Sequence, residues 1–543
     1  MQGNLLEDPL ITVHCRDAHE RAAATRRRMT LPGVLAALMR DEIAAFPALA
    51  PWQEHPWHAL LVQLAALALH RARRRDPPES EREWAELLRA LAAAEGWQGG
   101  DEPWCLVVDD WTKPAFLQPP LPGETHAELT TVFMRPDEID VLVTAKNHDV
   151  KAARIARPSP EGWLFALVSG QTAAGYSGRS WYGIARMNGG YSSRAGFGIA
   201  PGVLPGAHVR RDVAVLLARR REHWLEAAHA MGERERPWAY RDDGHGLLWL
   251  LPWDGRSQLA VSDLDPWFIE ICRRYRLVRD GGGALEARGA GSRVARIDAA
   301  AFHGNLGDPW LPVSRTSGYA ITVGPLGLRY DRLAEYVWDP EYEPPLALRW
   351  HSGIDQGSVI LVARVLVRGQ GGTEGYYERR IPFPAQTGSL LFAPQERDRV
   401  GEIVKERLEE VEKMIRQVLR PALIRRLRPG DGATGRPSAG EEAWIRAAQT
   451  RLHHAVDGFF FGAHLWEEVN AGADPAARAR ARQDWRDLLI AAAREVFMRA
   501  LEEPPQTSAR RYRAVAEAES LFHAQLRRHF QQLAAEGKEV ADV

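Results

Sequence analysis

Cysteine is nearly absent from this sequence. The three present, Cys15, Cys105 and Cys272, lie far apart. That spacing argues against a cysteine-built metal cluster and for a reducing compartment. An excess of positive charge is missing too: 70 Lys and Arg face 71 Asp and Glu, a formal net charge of -1. A protein that binds nucleic acid unaided is usually more basic. Any such binding here would rest on local patches or on partner subunits. No apolar run approaches a membrane span, and the amino terminus lacks the apolar core of a signal peptide. A cytoplasmic protein without a membrane partner is expected. The chain also has no P-loop, no G-x-S-x-G and no H-E-x-x-H.

What is present fills more than one core. At 543 residues the chain calls for at least two domains. Ile11 to Val13 reads as a strand, and Leu31 to Ala45, His58 to Arg75, Glu79 to Glu95 and Val209 to Met231 read as helices. From Leu247 to Pro384 strand-like runs dominate: Leu247 to Leu251, Arg293 to Ile297, Tyr319 to Val323, Leu346 to Trp350 and Val359 to Val367. Trp249, Trp253, Trp267, Trp310, Trp338 and Trp350 fall in this half, and core filling is the commoner use of such residues. After Pro394 four amphipathic helices follow, with a Gly/Pro linker over residues 428–440. The expected fold class is α+β: a large mixed α/β domain over residues 1–394, then a four-helix bundle over 395–543.

The stretch from Val141 to Gly202 carries most of the chemistry. A β-branched run, Val141 to Thr144, breaks into the polar loop Lys146-Asn147-His148-Asp149. A second apolar run, Trp163 to Val168, gives way to a segment dense in glycine. Within it stands Asn188-Gly189-Gly190-Tyr191-Ser192-Ser193-Arg194. Paired glycines reach positive φ and let another molecule approach the backbone, since no Cβ intervenes. The amide of Asn188, the hydroxyls of Ser192 and Ser193 and the guanidinium of Arg194 all donate hydrogen bonds. That set suits a phosphate backbone or a narrow groove. An ordinary surface loop with turn glycines has the same composition.

In the order of its features the chain resembles the large subunit (CasA type) of type I-E Cascade, the RNA-guided CRISPR surveillance complex. The start Asn4-Leu5-Leu6-Glu7-Asp8-Pro9-Leu10-Ile11-Thr12-Val13 is similar to the family's N-L-L-x-D-x-W-I-P-V, with Leu10 for the tryptophan and Thr12 for the proline. Asn188 to Gly196 follows the family's G-x-G-G-x-x-x-G loop with fewer glycines, and Pro114 to Pro119 resembles its P-F-x-Q stretch. The family's cysteine-rich insertion is absent, so no zinc site carries over.

The resemblance implies a non-catalytic subunit without cofactor or metal. Its implied partners are a guide RNA, double-stranded target DNA, the other Cascade subunits and a helicase-nuclease. It implies that Lys146, Asn147 and His148 dock guide RNA and a neighbouring subunit. Residues 188–194 would read the motif flanking the target, helped by Arg315, which stands where the family has a lysine. It further implies a polar wedge at Asp355-Gln356-Gly357, expected as a hairpin tip between the runs Leu346–Trp350 and Val359–Val367. Asp355 departs from the family's amide residue at that place. The alternative is a hydrolase or transferase built on His148 or on His453 in His453-His454-Ala455-Val456-Asp457. That motif has two residues between its second histidine and the aspartate, where the acyltransferase pattern has three.

Overall fold

A computed structural model of the protein describes residues 3–16, 25–140, 158–229, 240–369, 372–393, 396–430, 436–472, 474–503 and 508–531. The chain folds into two compact units. The first is Met1–Leu328 with Glu341–Pro382; the second is Arg329–Pro340 with Phe383–Val543. The chain therefore passes between units three times, where the sequence suggested one boundary at 394.

The core of the first unit is built around α2 (Glu54–Arg71), whose residues are buried from His55 to Leu69. A helix apolar on every side has to be central. It packs against α3 (Glu81–Ala94), α4 (Pro160–Thr172) and α5 (Pro205–His229). The run Trp163 to Val168 lies inside α4, which Ser159 caps by accepting from Gly162 N at 3.0 Å. The helix expected over Leu31 to Ala45 ends at Met39 as α1 (Leu31–Met39). Asp41 then takes φ +61°, and the chain continues as β3 (Ile43–Ala45).

Among the described residues six small sheets accompany these helices. One has the order β2 (Thr25–Met29), β1 (Ile11–Cys15), β3. A second has the order β4 (Thr131–Phe133), β10 (Leu285–Ala290), β9 (Arg274–Arg279). Three are two-stranded: β6 (His245–Leu247) with β8 (Leu264–Ile269), β7 (Leu259–Ala260) with β11 (Ile297–Asp298), and β12 (Val313–Ser314) with β13 (Tyr342–Glu343). The sheet that positions the site has the order β15 (Gly372–Phe383), β14 (Val359–Gly369), β5 (Gly196–Ala200). β14 and β5 are antiparallel, with Arg364 opposite Gly196 and Ile360 opposite Ala200.

Several expected strands are shorter or different. Leu346 to Leu348 form a 3-10 turn after Pro345, with all three side chains buried. A run buried on every side has no alternation, so its period cannot separate strand from helix. Leu248 to Leu250 form another such turn, and Tyr319 to Val323 contribute only the bridge of Ala320 to Val313. Trp249, Trp253, Trp267, Trp310 and Trp338 are all buried, as core residues should be.

The second unit is helical. A continuous helical stretch runs from α8 (Arg397–Lys413) through a π turn at Met414–Leu419 into α9 (Arg420–Leu427). α10 (Ala439–Asp457), α12 (Pro475–Glu502) and α13 (Ser508–Leu526) complete four long segments. Phe497 and Phe522 stack between the last two at 4.2 Å. The unit also takes in α6 (Tyr330–Trp338), α7 (Ala385–Phe392) and α11 (Ala463–Asn470), which the sequence did not suggest.

Candidate nucleic-acid interface

The glycine loop hangs between α4 and β5. After α4 the backbone passes directly beneath it: Tyr176 N donates to Gly190 O at 2.8 Å. A Cβ on Gly175 would meet Ser192 O at 2.4 Å and Gly190 O at 2.8 Å, so only glycine permits that crossing. Gly189 and Gly190 have φ of +60° and +79° and are exposed, with Asn188 and Tyr191 half-buried beside them. This half of the loop presents bare backbone.

The other half faces inward. Ser192 is buried and its hydroxyl donates to Val323 O at 3.2 Å. Ser193 extends the sheet: its N donates to Leu366 O at 2.9 Å and its Oγ accepts from Leu366 N at 2.9 Å. Arg194 is 3% exposed and makes a bidentate pair with Asp308, Nε to Oδ2 at 2.6 Å and Nη2 to Oδ1 at 2.8 Å. The expectation that Arg194 and Ser192 meet phosphate is corrected here: Asp308 and Val323 O occupy their side-chain donors, while Ser193 is tied to Leu366 by its N–H and by Oγ as an acceptor.

Arg315 lies on a loop just ahead of the segment that meets the glycine loop. Val313 to Ala320 fold back on themselves, Ser314 N donating to Tyr319 O at 2.9 Å. Arg315 is exposed. The chain continuing from this loop meets the glycine loop, with Thr322 Cγ2 3.7 Å from a Cβ placed on Gly190. His303 stacks on Tyr319 at 3.8 Å and accepts from Ala320 N through its carbonyl. A cleft of about 320 Å³ opens here, lined by Tyr182, Met187, Asn188, Gly189, Gln258 and His303. Below it Glu270 accepts from Ala185 N at 2.5 Å, and burial pushes its carboxyl up to about 7.

The expected wedge sits elsewhere. Gly353 to Ser358 lead into β14 from a 3-10 turn, not from a strand, so they form a turn and not a hairpin tip. They adjoin the Ala200 end of β5, whereas the glycine loop adjoins its Gly196 end. The two motifs are therefore separated by the length of β5, about 14 Å at 3.4 Å per residue. Gln356 and Gly357 are exposed, Gly357 at φ +75°. Asp355 is 5% exposed and bound to Arg211, Nε to Oδ1 at 2.8 Å and Nη2 to Oδ2 at 2.9 Å. Its charge is thus neutralised internally, and Asp355 is withdrawn from any ligand.

The feature the sequence reading passed over is the connection from β14 to β15. Leu366 bonds Ser193, and Gly369 follows three residues later, so the Gly369 end of β14 lies at the glycine-loop end of the sheet. The signal was there: Gly369-Gln370-Gly371-Gly372 directly after a β-branched run. Gln370 and Gly371 lie outside the described residues, as do Lys146, Asn147 and His148.

The alternative histidine site reads as packing. Tyr330 OH meets His453 Nδ1 at 3.0 Å, and Asp457 Oδ1 accepts from Tyr330 N at 2.7 Å, at the start of α6. His453 and Asp457 thus tie α6 to α10. Among the described residues no helix is long and apolar enough to cross a membrane.

No protein-family model matches the sequence, and no curated protein matches it. Solved structures do match in fold. The CRISPR-associated protein Cse1 from Acidimicrobium ferrooxidans is 18% identical, covers 97% of this chain and 98% of its own, and superposes with a TM-score of 0.61. Thermobifida fusca Cse1 is 14% identical over 97% of each chain, TM-score 0.61. Thermus thermophilus CasA (Cse1) is 17% identical over 96% of this chain and 99% of its own, TM-score 0.55. The fold of Cse1/CasA proteins therefore extends over nearly the entire chain, both units included.

Proposed function

We propose that this chain is the non-catalytic large subunit of a type I-E CRISPR surveillance complex, in which it reads the motif flanking the DNA target. The observation that carries this reading is the exposed Gly189–Gly190 backbone beside the Arg315 loop, within a fold shared with Cse1/CasA along 97% of the chain. Backbone and one cation suit the minor groove, whose pattern is degenerate, so several flanking sequences should be tolerated. Guide RNA pairing reads the target itself. Lys146, Asn147 and His148 dock the guide RNA and a neighbouring subunit, the helical unit steadies a DNA strand, and a helicase-nuclease is recruited afterwards.

Gly190→Asp tests the groove contact. A Cβ at Gly190 has room, with its nearest neighbour at 3.7 Å, so the fold should tolerate it at a strain of roughly 1–2 kcal/mol. The added carboxylate would face phosphate. Retention of flanked duplex by the guide-loaded complex should fall at least tenfold, with far-ultraviolet circular dichroism unchanged. Retention at the wild-type level removes the glycine loop from the interface.

Strand opening beside the flanking motif needs a side chain close to the glycine loop. Gln356 stands a strand length away, so we assign the wedge first to Gln370, which lies in sequence between the Gly369 end of β14 and the Gly372 end of β15, with Gln356 as the second candidate. Gln370→Ala should slow opening of a fully paired target and leave binding to a pre-melted target intact. If Gln356→Ala shows that pattern and Gln370→Ala does not, the wedge is the turn before β14.

A further inference from the structure

We infer that His58, His208 and Asp212 form a binding site for one divalent transition-metal ion, with Zn²⁺ the best fit, pinning α2 to α5. His208 and Asp212 are four residues apart on α5 and so share one face of that helix. His58 faces them from α2. His58 Nε2 lies 2.9 Å and His208 Nε2 3.5 Å from Asp212 Oδ2, and the three ligand atoms lie within 4.8 Å of one another. Tetrahedral zinc with bonds of 2.0–2.1 Å places its ligand atoms about 3.3 Å apart. The two measured separations bracket that value.

Independent features point the same way. His208 Nε2 is shut off from solvent and makes no hydrogen bond, although it is aimed at the carboxylate. A buried ring nitrogen without a partner calls for a ligand. The carboxylate is oriented through its other oxygen, as metal-binding carboxylates usually are: Arg211 Nη1 donates to Oδ1 at 3.0 Å, while Trp310 Nε1 donates to Oδ2 itself at 2.9 Å. A cavity of about 250 Å³, lined by His58, His208, Phe46, Trp57, Val209 and Val362, borders both imidazoles.

The nearby cations bring their own acids. Arg211 is paired with Asp355 at 2.8 Å, and Arg364 with Glu54 at 2.7 Å and Glu378 at 3.1 Å. A dication at the cluster would meet compensated charge. Two imidazoles and one carboxylate are borderline ligands that favour Zn²⁺ or Co²⁺ over Mg²⁺ or Ca²⁺.

The full-length chain, stripped with chelator, is titrated with Zn²⁺ and separately with Co²⁺. One equivalent of either metal should bind, and Co²⁺ should give the intense visible absorption of a tetrahedral site. His208→Ala should weaken Zn²⁺ binding by more than about a hundredfold. His208→Cys should restore binding and add a thiolate-to-Co²⁺ charge-transfer band, which reports ligation by residue 208 directly. Absence of stoichiometric uptake by the wild-type chain overturns the inference. So does equal uptake by wild type and His208→Ala, which would place the metal on other histidines.

Discussion

Asp355→Ala will destabilise the unit formed by Met1–Leu328 and Glu341–Pro382 by about 3–5 kcal/mol, the usual result of removing one partner from a buried ion pair. Arg211 would keep its charge, its bonds to Ala347 O at 2.6 Å and Arg349 O at 2.7 Å and its contact with Asp212 Oδ1 at 3.0 Å, but would lose the bidentate carboxylate that the turn supplies. Asp355 Oδ2 also accepts from His351 N at 2.8 Å, so the turn would lose its internal tie. Asp355→Asn should fall between the two, because the amide keeps the shape and loses the charge. Chemical denaturation of wild type and both variants gives the order directly. A loss under about 1 kcal/mol for Asp355→Ala would mean that water reaches Arg211 and screens it. Gln356→Ala, one residue further on, should leave stability unchanged because Gln356 is exposed. Neighbouring residues with opposite readouts would separate what holds the turn from what the turn presents.

Glu270→Gln should stabilise the protein at pH 8 and have little effect near pH 4.5. Burial raises the carboxyl from its ordinary value of 4.5 to about 7, so the folded chain holds a proton that the unfolded chain releases. Below pH 4.5 both states are protonated and the full stability is present. As pH rises from 4.5 through 7 the unfolded state gains an ionised carboxylate at no cost, and folding weakens by about 1.4 kcal/mol per unit. The accumulated loss at pH 8 is on the order of 3 kcal/mol. Glutamine cannot ionise, so the variant should lack this decline. Parallel stability–pH curves for the two proteins would place Glu270 in contact with water or with a cation that compensates it. Because Glu270 holds Ala185 N just before the glycine loop, the pH profile also reads how firmly that loop is seated.

Much of the fold was legible because local rules decided it. The helices around α2, α3 and α5 follow apolar spacing, and the long carboxy-terminal helices follow their stripes and the linker between them. The Leu346–Leu348 turn and the short strands after Leu247 were not legible. Leu346–Leu348 and β8 are buried all round, and a fully buried run carries no period, while β7, β11, β12 and β13 have two residues each, too few to show one. The twelve-residue strand β15 was hidden for the opposite reason: it is rich in Gly, Glu and Arg, and pairing with β14 holds it extended.

By itself the sequence pointed to more than one unit, a helical end, a paired-glycine loop and a motif order resembling that of a CRISPR large subunit. Glycine's freedom at positive φ and the helical period are local properties, and they survive in any reading of the residues. Only the tertiary structure decided which polar residues face out. Arg194 and Asp355 look like ligands in the sequence and are buried against Asp308 and Arg211. His208 and Asp212, which the sequence did not single out, close on His58. The side of the chain on which a polar group ends is set by the partner that desolvates it. Here those partners are 114, 144 and 154 residues away, a distance no pattern along the chain can span.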